Sequence, residues 1–188
     1  MSELGESVIT AIKFLDRFNR DLSKLVSTVE DGLRHEKFLP MWNSSGSVWD
    51  RSAAYNSPTG WTVRYLFRAY AYPPADATPP DTKAQTRWGF FVAYLTPKRV
   101  AEPIAVWGTA SLPAPGDPWP PMKQLLARDD GPSFVQTECV DQWTDTSDNI
   151  QPLVSLTYQV CPIVMLKDSS TVEKTVVMPL IERLGSPP

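Results

Sequence analysis

Apolar residues near the start of the chain recur alternately every four and three residues, the spacing of one side of an α-helix. The series is Val8, Ile12, Leu15, Asn19, Leu22, Val26, Val29 and Leu33. It predicts a helix over about 5–33, which ends near Asp31-Gly32 because glycine weakens the last turn. Asp16 and Arg20 form a favourable i,i+4 pair on the opposite, charged side.

The apolar side of this helix has two interpretations. Ala11, Phe18 and Leu25 widen it beyond a two-stranded seam, which favours packing on a sheet of the same chain. Asn19 falls at an a position of the heptad pattern, where asparagine pairs with its symmetry mate in a parallel dimer and fixes the register. If the helix self-associates, the candidate interaction residues in it are Leu15, Asn19 and Leu22.

From about Met41 the pattern changes to short segments with the two-residue period of β-strands. The segment 87–95 is apolar on both faces, which indicates a central strand. Pro162 lies inside a long apolar segment, where we expect an edge position or a bulge because proline donates no ladder hydrogen bond. The predicted strands are two short ones within 42–49, then 61–72, 87–95, 104–110, 134–140 and 153–166.

The last segment, 170–185, favours a short helix. Ser170 and Glu173 fit a capping box, and Gly185 is a typical helix stop. Pro179 and several β-branched residues oppose one straight helix, so a final strand followed by a helix from Pro179 is the alternative. The apolar positions with four-residue spacing are Val172, Val176, Leu180 and Leu184.

These elements predict an α+β fold. We expect an antiparallel sheet of roughly five to seven strands, packed by a long N-terminal helix and a short C-terminal helix. The 188 residues, 42% of them hydrophobic, suit a single domain over 1–188. Its parts are the helix at about 5–33, a β-rich body at about 41–168 and the C-terminal segment 170–185.

Charge and targeting signals narrow the classes of partner. The formal net charge of −3 argues against an overall basic nucleic-acid-binding protein. Apolar runs fall well short of the roughly 20 residues that cross a bilayer, and the acidic first residues do not resemble a secretory signal. We therefore expect no membrane partner and a cytoplasmic location. Cys139 and Cys161 lie in predicted strands, where a reducing compartment favours two buried thiols over a cross-strand disulfide.

Few residues are suited to catalysis. The single histidine, His35, follows the predicted helix end and is expected in water, and no phosphate-binding loop or Gly-x-Ser-x-Gly motif occurs. Asp141, Asp145 and Asp148 could hold a divalent metal for a hydrolase, but their spacing is not that of an EF-hand and fits a solvated turn. We predict no cofactor and lean towards a protein that is not an enzyme.

Two further surfaces are candidates for binding. Arg64, Arg68 and Tyr70 share one face of a predicted strand and would suit a small anionic ligand or single-stranded nucleic acid if that face is open. If the sheet face is covered, the arginine stems pack on neighbours instead. Trp119, between prolines in a long loop, is a candidate exposed anchor for another protein.

The leading functional prediction is a non-enzymatic protein-interaction module that self-associates through the N-terminal helix, with itself or another protein as partner. The heptad seam and the lack of a complete catalytic set support it. The sheet-based binding domain for an anion or single-stranded nucleic acid is the first alternative. The metal-dependent hydrolase is the second.

Overall fold

The computed structural model describes residues 3–41, 48–51, 63–72, 86–95, 102–116, 140–143 and 155–185. Within these residues the chain forms one long N-terminal helix, an antiparallel sheet of seven strands and a short C-terminal helix. The predicted α+β fold is confirmed.

Helix α1 spans Glu3–His35 and ends two residues beyond the predicted end. The chain leaves the helix through Lys37, whose φ of 66° lies in the left-handed region. The N–H of Phe38 donates to the carbonyl of Leu33 over 3.0 Å, and both side chains are buried. This is the hydrogen bond and the apolar contact of a Schellman cap, so the cap, and not Gly32, ends the helix.

Gly32 has a packing role inside α1. A Cβ at this position would lie 2.8 Å from Cγ1 of Val177, in the C-terminal helix. The missing side chain therefore lets the two helices approach closely where they cross, which offsets the low helix propensity of glycine.

The seven strands lie in one mixed-length sheet whose neighbours are all antiparallel. The strands are β1 Leu39–Pro40, β2 Val48–Arg51, β3 Val63–Ala71, β4 Arg87–Tyr94, β5 Ile104–Ser111, β6 Val140–Trp143 and β7 Ser155–Pro162. Their order in the sheet is β1-β3-β4-β5-β7-β6, and β2 also pairs with β3. The predicted central strand 87–95 is β4, which lies between β3 and β5 and is buried on both faces.

The alternation along the strands separates two buried faces. On one face, Trp88 makes edge-to-face contacts with Phe67 and Phe90, with ring centroids 6.4 and 6.0 Å apart. The other face, the helix-covered face, packs against α1 and the C-terminal helix through Leu66, Tyr70, Phe91 and Trp107. One face of the sheet therefore packs against both α1 and the C-terminal helix.

Pro162 ends β7 and does not form a bulge within it. A 3₁₀ turn, Ile163–Met165, follows, and the C-terminal helix begins after Asp168. The Asp168 carboxylate accepts a hydrogen bond of 2.8 Å from the N–H of Thr171, and this bond lowers the pKa of the carboxyl group. The N-cap is thus Asp168, two residues before the expected Ser170.

The C-terminal helix, 169–184, accommodates Pro179 by widening. It consists of the α-turn Ser169–Val172, the π-helical segment Glu173–Val177 and the α-helix Met178–Leu184. Proline lacks the N–H of an i→i−4 bond and its ring crowds the preceding turn, so a π-helical turn directly before it relieves the conflict. The alternative of a strand through Val177 is wrong, and Gly185 ends the helix as predicted, with φ 81°.

Candidate functional site

Helix α1 has a docked half, residues 18–35, and a projecting half, residues 3–17. In the docked half, the apolar side packs on the helix-covered face of the sheet, and Val29 and Leu33 are fully buried. Phe18, the first residue of this half, is partly buried at the edge of the same cluster. The intramolecular interpretation of the seam is therefore correct for this half of the helix.

In the projecting half every residue from Glu6 to Arg17 is exposed, apolar ones included. Ile12 is 60% exposed and Leu15 48% exposed, although both continue the seam that is buried further along. Phe14 is also exposed and stacks on Phe18, with 6.4 Å between ring centroids. The large apolar side chains left in water here are Leu4, Val8, Ile9, Ile12, Phe14 and Leu15.

The projecting half is expected to be only marginally stable as an isolated helix. At about 1.5 Å per residue its 15 residues are roughly 22 Å long, and isolated helices of this length are marginal in water. Gly5 and the β-branched run Val8-Ile9-Thr10 lower the helix propensity further. The Asp16–Arg20 pair, 2.5 Å apart, is exposed and contributes little. A helix of this kind is expected to gain stability from a partner that covers its apolar side.

The predicted interaction residues fall on different surfaces. Leu15 and Asn19 are exposed on α1, whereas Leu22 is buried in the chain's own core, near Leu166 and Val172. Trp119 lies outside the described residues. The sequence analysis missed Leu4 and Ile9, whose signal was their place at g and e, the heptad positions that flank the seam.

The predicted arginine–tyrosine surface is under α1. Arg68, with 13% of its side chain exposed, lies 3.5 Å from the Glu30 carboxylate, measured from Nη2 to Oε2. Tyr70 is fully buried in the helix-covered face, and burial raises the pKa of its hydroxyl. Arg64 belongs to β3, and its side chain lies outside the described ones. Arg68 and Tyr70 thus form part of a helix–sheet contact and not of an open platform.

This polar contact also limits anion binding. Glu30 is paired with Arg34 over 2.6 Å as well as with Arg68, so a ligand phosphate would have to displace a carboxylate that already belongs to the fold. Nε of Arg68 and the hydroxyl of Tyr70 are buried, and neither has a hydrogen-bond partner among the described residues. The anion-binding prediction therefore requires α1 to move away from the sheet.

Replacing Glu30 with alanine is expected to lower the free energy of unfolding by about 2 kcal/mol, because Arg68 would keep its burial and lose its counter-charge. Urea unfolding followed by circular dichroism measures the change. The matched control is Asp16→Ala, which removes the carboxylate of an exposed i,i+4 pair and should change stability by less than about 0.5 kcal/mol. Equal losses in the two variants would mean that the Glu30–Arg68 contact is no stronger than a surface pair.

The remaining candidates for chemistry are only partly within the described structure. Asp141 lies in β6 without a described side chain, and Asp145, Asp148 and Cys139 fall outside the described residues. Among the side chains that are described, no three His, Cys, Asp or Glu groups cluster as a metal site requires. Cys161 is a free thiol whose pKa is raised by burial to about 11.

His35, in the last turn of α1, is exposed, as expected. The part of the chain that is described contains no helix with the length and apolarity needed to cross a bilayer. No protein-family model, curated protein or solved structure matches this chain. The function has to be inferred from the geometry of α1.

Proposed function

We propose that this chain is a protein-interaction module that self-associates through the projecting half of α1. The observation that carries the proposal is the apolar stripe of α1, which the sheet and the C-terminal helix cover over Leu22–Leu33 and leave in water over Leu4–Leu15. Contiguous exposed apolar surface on a helix usually marks a site of protein contact.

A second copy of the chain supplies a suitable surface for this contact. Its own projecting half is equally apolar, and two such stripes can bury each other without any further element. Leu4 and Ile9, at the g and e positions that flank the seam, are exposed as well, which gives a wider contact than the a and d positions alone.

Replacing Leu15 with aspartate is expected to weaken self-association by at least about 100-fold. A leucine contributes roughly 1.5–3 kcal/mol when it is buried, each 1.4 kcal/mol is a factor of ten, and a symmetric pair loses two leucines. Light scattering over a range of protein concentrations measures the change as a dissociation constant.

Thr10→Asp is the matched control, because it adds the same charge to the same half of α1 on the side away from the seam. It should leave the dissociation constant within a few-fold of the parent. Leu22→Asp is unsuitable as a test, since Leu22 is buried within the single chain. If the parent protein remains monomeric at the highest protein concentration measured by light scattering, the proposal is wrong.

A further inference from the structure

We infer that the two copies pack their projecting halves antiparallel, around a two-fold axis that lies between the two seams at the level of residue 10. This inference rests on the proposed function and adds the orientation and the register of the partner. Three independent features of α1 support it: the position of the sheet, the heptad pattern and the distribution of charge.

The position of the sheet excludes a straight parallel pair. The seam that is exposed at Val8 and Leu15 is covered by the sheet and the C-terminal helix from Leu22 onward, on the same side of the helix. Packed helices lie about 8–10 Å apart. In a parallel pair the second copy's Leu22–Leu33 would therefore occupy the space that the first copy's sheet already fills.

An antiparallel pair avoids this overlap. The second α1 then runs from the boundary at Phe18 towards Glu3 of the first copy and continues beyond it. Its docked half, with its own sheet, lies past the first turn of the first helix. The overlap is limited to the projecting halves, which is the stretch left exposed in the single chain.

The heptad pattern selects one antiparallel register. With Val8 of one copy opposite Ile12 of the other, Gly5 lies opposite Leu15, and the two-fold axis repeats both layers. The flanking positions then match in kind: Ile9 faces Ile9, Ala11 faces Ala11 and Leu4 faces Phe18. In the parallel register Leu4 would face Ile9, but the flanking Ala11 and Phe18 would face Asp16 and Ser23.

The distribution of charge favours the same orientation. Residues 3–12 carry Glu3 and Glu6 and no basic side chain, whereas residues 13–20 carry Lys13, Arg17 and Arg20 against the single Asp16. An antiparallel pair brings the acidic segment of each copy level with the basic segment of the other, and it opposes the two helix dipoles. A parallel pair would place like segments side by side.

Asn19 has a different role in this arrangement from the one its heptad position suggests. It lies beyond the last apolar layer, at the boundary between the two halves, and it is exposed in the single chain. Its amide stays in water and does not pair with a second asparagine, so it limits the length of the contact and does not set a parallel register.

Disulfide cross-linking distinguishes the orientations. In a background with Cys139→Ser and Cys161→Ser, we would prepare Gly5→Cys and Leu15→Cys, oxidise each alone and as an equimolar mixture, and measure the products by mass. In the antiparallel register, residues 5 and 15 are opposite, while identical residues are offset by about 15 Å along the axis. A disulfide needs Cβ atoms within about 4.5 Å, so the heterodimer should form at least about ten times faster than either homodimer.

Light scattering of the same reduced variants separates the two proposals. Homodimers from each single variant, without an excess of heterodimer, would overturn the antiparallel inference and leave self-association standing. If light scattering shows association but no cross-link forms in any sample, the proposed register is wrong. A monomeric reduced Gly5→Cys variant, in which Leu15 is intact, would reject the proposed function itself. Leu15 is exposed and Gly5 is half-buried, and both lie in the projecting half. Circular dichroism checks that each variant keeps the fold.

Discussion

Replacing Gly108 with alanine is expected to lower the free energy of unfolding by about 3 kcal/mol or more. Gly108 lies in β5, between Phe90 of β4 and Tyr158 of β7. An added Cβ would overlap the carbonyl oxygen of Thr157 and lie 2.7 Å from Cα of Tyr158. Both are backbone atoms of β7, which cannot retreat without loosening the β5–β7 ladder. Urea unfolding measures the loss.

Gly89→Ala is the matched control for this substitution. Gly89 lies in the neighbouring strand β4, where an added Cβ would lie 2.9 Å from Cδ1 of Leu184. The end of a leucine side chain can rotate away, so the expected loss is below about 1 kcal/mol. Similar losses at the two glycines would show that the backbone of β7 moves as easily as a side chain does, contrary to a tight β5–β7 pairing.

Replacing Val29 with aspartate is expected to lower the free energy of unfolding by about 4 kcal/mol or more, or to prevent folding. Val29 is fully buried between the docked half of α1 and the sheet. A carboxylate at this site would lose its hydration, and Glu30 and Asp31 beside it would add like charges. Thermal and urea unfolding, followed by far-ultraviolet circular dichroism, measure the loss.

Leu15→Asp supplies the comparison, because Leu15 occupies the same heptad position two heptads earlier. In the monomer it should change stability by less than about 0.5 kcal/mol, since its side chain is already in water. Association also stabilises the parent protein, so stabilities must be extrapolated to low protein concentration. Equal destabilisation by both variants would mean that the single chain already buries its projecting half.

The strand β3 shows how far a local pattern reaches. Its alternation correctly separates Tyr65 and Phe67 on one face from Leu66 and Tyr70 on the other. The pattern does not tell which face receives a helix, because both faces of the sheet are buried. The sequence is therefore consistent with Arg68 on an open face or on a covered one. Its contact with Glu30 of α1 shows that the face is covered.

Glycine and proline positions show a second limit. Gly32 was expected to end α1, yet it lies inside the helix because Val177, almost 150 residues away in sequence, needs the space. Pro179 was expected to interrupt the C-terminal helix, yet a π-helical turn before it keeps the helix continuous. Local propensity is weak compared with tertiary packing, so the final structure overrides it at both sites.

The sequence predicted which helix carries the candidate site but not which part of that helix. The heptad seam predicted α1 as the element and Leu15 as a residue of the proposed contact, and both predictions follow from spacing alone. The spacing could not separate Leu15 from Leu22, since both are d positions with the same side chain. They differ because the turn and helix at 163–172 lie beside Leu22 and do not reach Leu15.

The amino-acid sequence by itself determined the α+β class, the two-faced strands and the single apolar stripe along α1, because periodicity is a local property that each segment carries. Only the tertiary structure decided how much of that stripe the chain covers. That extent depends on where a sheet assembled from residues 39–162 lies against the helix, and long-range packing of this kind leaves no mark in the spacing of residues along α1.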